Sequence, residues 1–263
     1  MKLIRHLTPE GPAYAALQPD GSVRAIEGDV FGYFRSTERT VKKGELLPPV
    51  APTLIIGVGL NYAKHAGEGG RALPKVPMWF VKLPGSAQAH GEPIRLPRQQ
   101  PSTKVDFEGE LAIVLSRTAC NVPRERAFDF ILGYTCGNDV SARDWQREFG
   151  GGQFSHAKSF DTFCPLGPVL VTKDEIPQPN ALRLRTLLNG TVMQDSSTAD
   201  MIFDVPTLIE FLSADKTLPA GTVILTGTPE GVGFARTPPV WLQPGDTISV
   251  EIEKIGTLSN PVV

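Results

Sequence analysis

The chain has 263 residues, of which 41% are hydrophobic and 21% are charged, and these fractions are ordinary for a globular protein in water. A formal net charge of -2 offers no basic field for phosphate backbones, so we expect no nucleic-acid partner. The three cysteines show no C-x-x-C spacing, and no apolar run has the length of a signal peptide or a membrane span. Composition therefore predicts a cytoplasmic protein with no membrane partner.

Residues 1–50 are predicted to form a small N-terminal β domain. Residues 13–17 and 22–26 are strand-like, and the turn sequence Pro19-Asp20-Gly21 separates them. The proline-rich stretch 47–52 is predicted to be a linker. Residues 51–263 would then form the second, larger domain.

The larger domain is predicted to consist mainly of strands. It begins with the apolar run 54–60, short enough for a buried strand, and continues with one or two helical turns at 61–68. The adjacent Gly69 and Gly70 predict a mobile lid after those turns. The later elements in chain order are strands at 107–115, 131–136 and 182–188, a hairpin turn at Asn189-Gly190, a helix capped by Asp204, and strands at 222–226 and 247–253. Because helices are few, the pattern predicts a β-rich α+β fold.

The strand predicted at 107–115 carries the first candidate site. Side chains at positions i and i+2 of a strand point to the same side, so Glu108 and Glu110 form a carboxylate pair. A solvated edge strand with two surface glutamates is one interpretation. If the pair faces inward instead, burial of two like charges is costly without a cation. Ligation by oxygen alone favours Mg²⁺, Mn²⁺ or Ca²⁺ over zinc.

A second candidate segment begins at Asp139, shortly after the strand predicted at 131–136. We predict that Asp139 is a helix N-cap and that Arg143 and Gln146 follow on one face of that helix. A capped surface helix, with Arg143 paired to Asp139, also explains this segment. Combined with the carboxylate pair, the same residues suit a metal that binds a chelating oxo acid and donors that hold its carboxylate.

Three further features complete the set of candidate residues. His65 and Glu68 are i, i+3 neighbours, so the carboxylate can orient the imidazole, although ordinary helix surface is the alternative. Lys158 lies in a mostly uncharged stretch and could hold a substrate carboxylate or simply be a surface lysine. The glycine-rich loop 226–233 lacks the Gly-Lys-Ser/Thr of a P-loop, but its backbone N–H groups could bind an anion.

In their order and spacing, these segments resemble the fumarylacetoacetate hydrolase family. The matching stretches are 57–62 through Glu68, 106–111, 133–134, 138–144 with Gln146, 158–161, Asn189-Gly190 with Gln194, and 226–233. The resemblance covers roughly residues 54–263. Residues 1–50 carry none of the signature and are similar to the variable N-terminal extension of many members.

The resemblance implies a mixed β-sandwich roll, usually a homodimer, with Mg²⁺ or a similar ion (Mn²⁺ or Ca²⁺) in a pocket at one end. His65 and Glu68 would form a proton-transfer dyad on a closing lid. The implied site residues are, for the metal, Glu108, Glu110 and Asp139; for catalysis, His65, Glu68 and Lys158; and for substrate binding, Arg143, Gln146 and Thr228.

The leading expectation for function is a metal-dependent hydrolase that cleaves a C–C bond in an acylpyruvate-type 2,4-dioxo acid. The alternative is a decarboxylase of the oxaloacetate type, or an isomerase of hydroxymuconate-type or 2-hydroxyhepta-2,4-diene-1,7-dioate-type diacids. A different class is a non-catalytic protein that binds a metal and a 2-oxo acid. Candidates for the pocket rim are Arg71, Arg147, Phe149 and Trp79, each equally suited to a surface or core position.

Overall fold

The structure is a computed structural model that describes residues 1–68 and 72–263. The strands are β1 (Lys2–Thr8), β2 (Gly11–Leu17), β3 (Val23–Gly28), β4 (Phe34–Thr40), β5 (Leu46–Leu47), β6 (Ile55–Gly59), β7 (Met78–Lys82), β8 (Ala87–Gln88), β9 (Val105–Asp106), β10 (Gly109–Leu115), β11 (Ile131–Asn138), β12 (Ser141–Ala142), β13 (Cys164–Thr172), β14 (Arg183–Leu188), β15 (Thr191–Ser197), β16 (Val223–Leu225), β17 (Thr247–Ile252) and β18 (Gly256–Pro261). The α-helices are α1 (Ala63–Glu68), α2 (Arg143–Arg147), α3 (Phe154–Lys158) and α4 (Val205–Ser213). Short 3₁₀ helices lie at Pro84–Ser86, Arg124–Phe130, Lys173–Glu175, Pro179–Ala181, Thr198–Asp200 and Gly233–Ala235. No helix in these described ranges is long and apolar enough to cross a bilayer.

Twelve of the described strands form one mixed sheet. Its order is β4-β3-β2-β1-β13-β11-β10-β16-β6-β7, with β5 paired to β1 and β8 paired to β13. A second sheet has the antiparallel order β15-β14-β17-β18, and apolar residues of the two sheets share one core. The predicted β-rich α+β fold and mixed β-sandwich are therefore confirmed.

The central strand β10 shows how the two faces of the main sheet are filled. All seven of its residues are buried. Leu111 and Ile113 pack in the core that also contains Leu184 of the second sheet. Ala112 and Val114 point the other way, into a second core. The alternation predicted for this strand thus places apolar side chains on both faces, as expected for a strand covered on two sides.

The N-terminal strands continue the main sheet. β1 pairs antiparallel with β13, where Lys2 lies opposite Val171 and Leu3 lies opposite Leu170. Leu47, placed in a linker by the sequence, lies in β5 and pairs with Arg5. The domain boundary at residue 50 stays a prediction.

Two predicted boundaries near the candidate site are wrong. The strand predicted from residue 107 begins at Gly109. The prediction that Asp139 caps a helix is wrong too, because α2 begins at Arg143 with Ala142 at its N-cap position. The intervening β12 pairs with β9, and this pairing keeps the chain extended beyond Asp139.

Two local predictions are confirmed. Asn189 and Gly190 have φ values of 51° and 80°, the positive pair that a type I′ hairpin turn between β14 and β15 requires. Asp204 caps α4, because its Oδ1 accepts a hydrogen bond from the Thr207 N–H at 3.0 Å.

Candidate metal centre and substrate pocket

Three acidic side chains meet at one end of the strand pair β10–β11. Glu108, Glu110 and Asp139 each offer a carboxylate oxygen, and these oxygens lie within 4.8 Å of one another. The antiparallel register places Gly109 opposite Asn138, so the residue before β10 and the residue after β11 are neighbours. The Asp139 N–H also donates to the Glu108 carbonyl at 2.9 Å. The fold therefore brings together the three residues predicted as metal ligands.

Two buried lysines compensate part of this negative charge. Lys158 Nζ donates to Glu108 Oε2 at 2.6 Å and to Asp139 Oδ2 at 2.5 Å. Lys82 Nζ donates to Asp139 Oδ1 at 2.5 Å and to the Phe163 carbonyl at 2.8 Å. Burial acts to lower the pKa of Lys158, but Asp139 and Glu108 outweigh it and raise that pKa above its usual value. The space between these two carboxylates therefore stabilises a positive charge.

Glu110 has less compensation than the other two acids. Its Oε2 accepts one hydrogen bond in the described part of the chain, from the Gly227 N–H at 2.6 Å. Burial, followed by the neighbouring charges of Asp139 and Glu108, holds the pKa of Glu110 well above its usual range. A further positive charge beside this carboxylate would favour its ionised form.

The cluster fits a divalent cation. The three residues are at most 7% exposed, so bulk water does little to stabilise their charges. Their donor atoms are all carboxylate oxygens, which suit Mg²⁺, Mn²⁺ or Ca²⁺ better than zinc. The alternative of a solvated edge strand is wrong, because β10 lies between β11 and β16.

Arg143 is held by an acidic residue that sequence reasoning missed. Its Nε donates to Asp106 Oδ2 at 2.9 Å, its Nη1 donates to Gln146 Oε1 at 3.0 Å, and its Nη2 pairs with Glu108. Burial acts to raise the pKa of Glu108, but Arg143 and Lys158 together hold it well below its usual range. Since Arg143 is only 5% exposed, the surface-helix interpretation of this segment is wrong.

His65 and Glu68 form the contact predicted from their spacing. His65 Nδ1 lies 3.2 Å from Glu68 Oε2, and the imidazole is 8% exposed. Glu68 Oε1 accepts a hydrogen bond from the Gly231 N–H at 2.9 Å, so both carboxylate oxygens have partners. The edge of the His65 ring faces Phe234, with ring centroids 6.2 Å apart. These contacts orient the imidazole as proton transfer requires.

The glycine-rich loop 226–233 does bind anions, and these are carboxylates of the protein itself. Its N–H groups donate from Gly227 to Glu110, from Gly231 to Glu68 and from Gly233 to Asp106, at 2.6, 2.9 and 2.7 Å. Gly231 has a φ of +95°, and a Cβ there would lie 2.2 Å from the Met193 carbonyl oxygen. Only glycine fits this position, and the loop ties the acidic cluster to the histidine pair.

These groups surround a cavity of about 160 Å³. The predicted residues in its wall are His65, Glu68, Glu108, Glu110, Arg143, Gln146, Lys158 and Thr228. Asp139 is not part of the described wall and contacts Lys82 and Lys158 instead. The Thr228 hydroxyl donates to the Gly109 carbonyl at 3.0 Å and accepts from Gln194 at 2.8 Å, so it orders the loop as well as facing the cavity.

The predicted pocket rim is correct in part. Arg147 lines the cavity, together with the unpredicted Phe234. Phe149 and Trp79, 64% and 40% exposed, are not among the described wall residues. Arg71 and the predicted glycine lid, Gly69 and Gly70, lie outside the described residues.

Sequence reasoning missed two buried charges that carried a readable signal. Lys82 ends β7, and it lies two positions after Phe80, so the two side chains share the buried face of this otherwise apolar strand. Asp106 lies two positions before Glu108, the first residue of the carboxylate pair. Phe234 carried no comparable signal, because its role depends on contacts with α1 and α2.

Two family models match the chain. Residues 54–263 match the model described as fumarylacetoacetate (FAA) hydrolase C-terminal, and residues 1–49 match the model described as Rv2993c-like, N-terminal.

Named relatives match most of the chain. It is 47% identical to oxaloacetate tautomerase fahd2, mitochondrial, of Xenopus laevis, over 83% of this chain and 68% of the relative. It is 42% identical to oxaloacetate tautomerase YisK of Bacillus subtilis, over 89% of this chain and 77% of the relative. The solved structure of 5-carboxymethyl-2-hydroxymuconate delta-isomerase from Mycobacterium smegmatis is similar with a TM-score of 0.87 and 44% identity, over 100% of this chain and 99% of that one.

Proposed function

Because the chain belongs to the fumarylacetoacetate hydrolase family, we propose that it is a metal-dependent tautomerase or isomerase of a small 2-oxo diacid of the oxaloacetate type. One observation carries the proposal. A buried acidic cluster that fits a divalent cation and an oriented histidine–glutamate pair contribute to the same cavity.

Hydrolysis of an acylpyruvate, the leading expectation from the sequence, has less support than its alternative. The relatives from Xenopus and Bacillus are named oxaloacetate tautomerases, and the Mycobacterium smegmatis structure is named an isomerase. Tautomerisation and isomerisation both move a proton on an enolised 2-oxo acid, and neither needs water as a nucleophile. We therefore favour a proton-transfer reaction over C–C hydrolysis as the function of this chain.

The size of the cavity supports a short substrate. Pockets for drug-sized ligands measure roughly 300–1,000 Å³, whereas this cavity measures about 160 Å³. A four-carbon 2-oxo acid suits that space better than a long acylpyruvate with a bulky acyl group.

His65 is the group that would move the proton. Its Nδ1 faces Glu68, which leaves Nε2 for the substrate. His65 takes the proton from C3, the electron pair of the C3–H bond forms the C2–C3 double bond, and return of that proton to the keto oxygen gives the enol. Glu68 holds the imidazole in one orientation and stabilises its protonated form.

The other predicted residues would bind and orient the substrate. Glu108, Glu110 and Asp139 would hold the divalent ion, which when bound supplies Lewis-acid polarisation of the carboxylate and keto oxygens of a 2-oxo acid. Arg143 and Gln146 provide N–H donors in the cavity wall for the inner carboxylate. A homodimer and a cytoplasmic location complete the proposal.

A direct assay separates the possible reactions. Purified protein with Mg²⁺ or Mn²⁺ is mixed with enol-oxaloacetate, and the loss of enol absorbance is followed while pyruvate release is measured in parallel. We expect faster ketonisation without pyruvate. Pyruvate formed from oxaloacetate would indicate decarboxylation, and pyruvate formed from acetylpyruvate without accelerated ketonisation would restore the hydrolase.

Substitution of His65 separates an enzyme from a non-catalytic binding protein. We expect His65→Ala to lower turnover by about 10²- to 10⁴-fold, the usual contribution of a general acid–base group. The rise in melting temperature with Mg²⁺ should remain, because the ion would be held by the acidic cluster and His65 is not part of that cluster. Equal turnover in the variant and the original protein would contradict the assigned role.

A further inference from the structure

One part of the cavity wall is apolar. Its members, from β6 and the residue after it, from β7 and from α3, are Val58, Leu60, Met78, Phe80 and Phe154. None of these five side chains carries a charge, and the proposed proton transfer uses none of them. They therefore contribute to the shape of the cavity and to what fits inside it.

Contacts with a glycine and a lysine hold the Phe80 ring in place. Phe80 lies opposite Gly57 in the pairing of β6 with β7, and a Cβ at Gly57 would lie 2.3 Å from the ring. Lys158 Nζ lies 4.9 Å from the centre of the same ring, which is a cation–π contact. Because Lys158 also pairs with Glu108, the ring lies next to the acidic cluster. The apolar wall therefore begins at the inner end of the cavity.

Phe154 continues this wall away from the cluster. Its ring lies 5.6 Å from the Phe80 ring, centre to centre, with 31° between the ring planes. Phe80 is 8% exposed, whereas Phe154 is half-buried and lies nearer the surface. Phe154 and Lys158 are the first and last residues of α3, spaced i, i+4, so their side chains share one helix face. Four residues of helix advance about 6 Å along the axis, so only a short stretch of wall separates the two.

A glycine turn determines where α3 begins. Gly151 and Gly152 have φ values of 58° and 95°, a region that glycine adopts without steric cost. The Gly152 N–H donates to the carbonyl of Gln146, near the end of α2, at 3.0 Å. The turn joins the start of α3 to α2, and α3 thus carries Phe154 at a defined position in the wall.

We propose that Phe154, supported by Phe80, closes the apolar side of the cavity and restricts the substrate to short 2-oxo acids. The acidic cluster binds the 2-oxo end that short and long substrates share, so it cannot distinguish them. An aromatic ring in a packed wall does not compress, so a longer chain must displace it. The inference rests on the proposed function, because it names the residue that limits the substrate class of the same site.

The test compares two probes that differ only in the length of the tail. N-methyloxamate and N-hexyloxamate carry the chelating end of a 2-oxo acid, and an N–H group replaces the reactive carbon. Their dissociation constants are measured by calorimetry with Mg²⁺ present. We expect the original protein to prefer the methyl compound by about 10-fold or more, and Phe154→Ala to lower this preference by about 10-fold.

A series of side-chain sizes at position 154 makes the result independent of any single variant. Phe154→Leu should give an intermediate preference, and Phe154→Trp should strengthen the preference for the methyl compound. The matched control is Phe149→Ala. Phe149 is 64% exposed and is not among the described wall residues, so its substitution should leave the preference unchanged.

The outcomes separate this inference from the proposed function. A preference that stays constant across the series at position 154, or equal binding of both oxamates by the original protein, would overturn the role of Phe154. If the series changes the preference as expected but the original protein does not accelerate ketonisation of enol-oxaloacetate, the proposed function fails and the size limit stands. Binding of neither oxamate would contradict both.

Discussion

Glu110 is the acidic residue whose charge depends most on a cation from outside the chain. Lys158 and Arg143 pair with Glu108, and two lysines pair with Asp139, while Glu110 accepts a backbone N–H from Gly227. Without an additional cation, repulsion from the neighbouring carboxylates acts mainly on Glu110. Replacing Glu110 with a neutral residue therefore tests directly whether the cluster binds a metal ion.

We predict that Glu110→Gln raises the melting temperature in the absence of divalent ions, because an acid whose ionised form is disfavoured by burial and by the neighbouring carboxylates is replaced by a neutral amide, while the Gly227 N–H keeps an acceptor. The increase in melting temperature on addition of Mg²⁺ should be lost, since ligand-induced stabilisation follows affinity for the folded state. Differential scanning calorimetry with and without Mg²⁺ measures both effects. Glu125→Gln, in a 3₁₀ helix away from the cluster, is the control. An unchanged Mg²⁺ effect in Glu110→Gln would remove Glu110 from the ligand set.

At the scale of elements, the loop 226–233 determines the geometry of the site. Its N–H groups hold acidic side chains that come from β9, β10 and α1. The loop is therefore a structural part of the site even where it does not face the cavity. Its glycines are needed because close backbone contact leaves no room for a side chain.

We predict that Gly231→Ala displaces the loop and lowers turnover by about tenfold or more through loss of the Glu68 contact, with a stability loss above about 1 kcal/mol. Gly190→Ala is the matched control. Gly190 also has a positive φ, of +80°, but its Cβ would meet nothing within 4 Å. The control should lose about 1 kcal/mol of stability and keep full activity. Equal activity of the two variants would show that the Gly231 contact is not needed.

The start of α4 provides a pH-dependent contribution to stability. Burial acts to raise the pKa of Asp204, but Arg124 and Thr207 outweigh it and lower that pKa from 3.8 to about 2. Because the folded pKa is depressed, the contribution is complete above about pH 3.8 and is lost as the pH falls through about 2.

We predict that Asp204→Ala lowers the free energy of unfolding by about 1 kcal/mol at about pH 7, the usual cost of removing a cap. The difference from the original protein should shrink as the pH falls below 3.8 and should vanish once the pH has fallen through about 2. Asp204→Asn should retain the cap but lose most of this pH dependence. Urea denaturation at several pH values measures the effect, and a difference that is constant with pH would contradict the assignment.

At the scale of the whole molecule, the N-terminal strands and the larger part of the chain share a core. Leu3 of β1 is fully buried and belongs to the same cluster as Leu170 of β13. Such a side chain links the stability of residues 1–47 to that of the main sheet. If the link is strong, the chain unfolds as one unit despite matching two family models.

We predict that Leu3→Ala lowers the free energy of unfolding by about 2–5 kcal/mol, as expected for a buried leucine that leaves a cavity. Leu7→Ala, on the same strand but 46% exposed, should cost less than about 0.5 kcal/mol. Calorimetry should show a single transition for both variants. Two separate transitions, with only the lower one shifted by Leu3→Ala, would instead support an independent N-terminal domain.

Features that depend on neighbouring residues could be predicted from the sequence. The Asn189-Gly190 turn, the Asp204 cap and the alternation in β10 follow from backbone preferences and side-chain direction over a few positions. The pair His65 and Glu68 followed from helical spacing. The sequence by itself therefore determined the strand-rich fold, the family and the acids of the cluster.

The tertiary structure alone decided how those charges are compensated. Asp139 was expected to cap a helix, but its carboxylate contacts Lys82 and Lys158, which lie 57 and 19 positions away in the chain. Phe234 is recognisable only from the tertiary structure, in which the loop that carries it folds back onto Asp106. The physical reason is that a buried charge must find its counter-charge or hydrogen bond in space, and strand pairing between distant segments determines which groups meet.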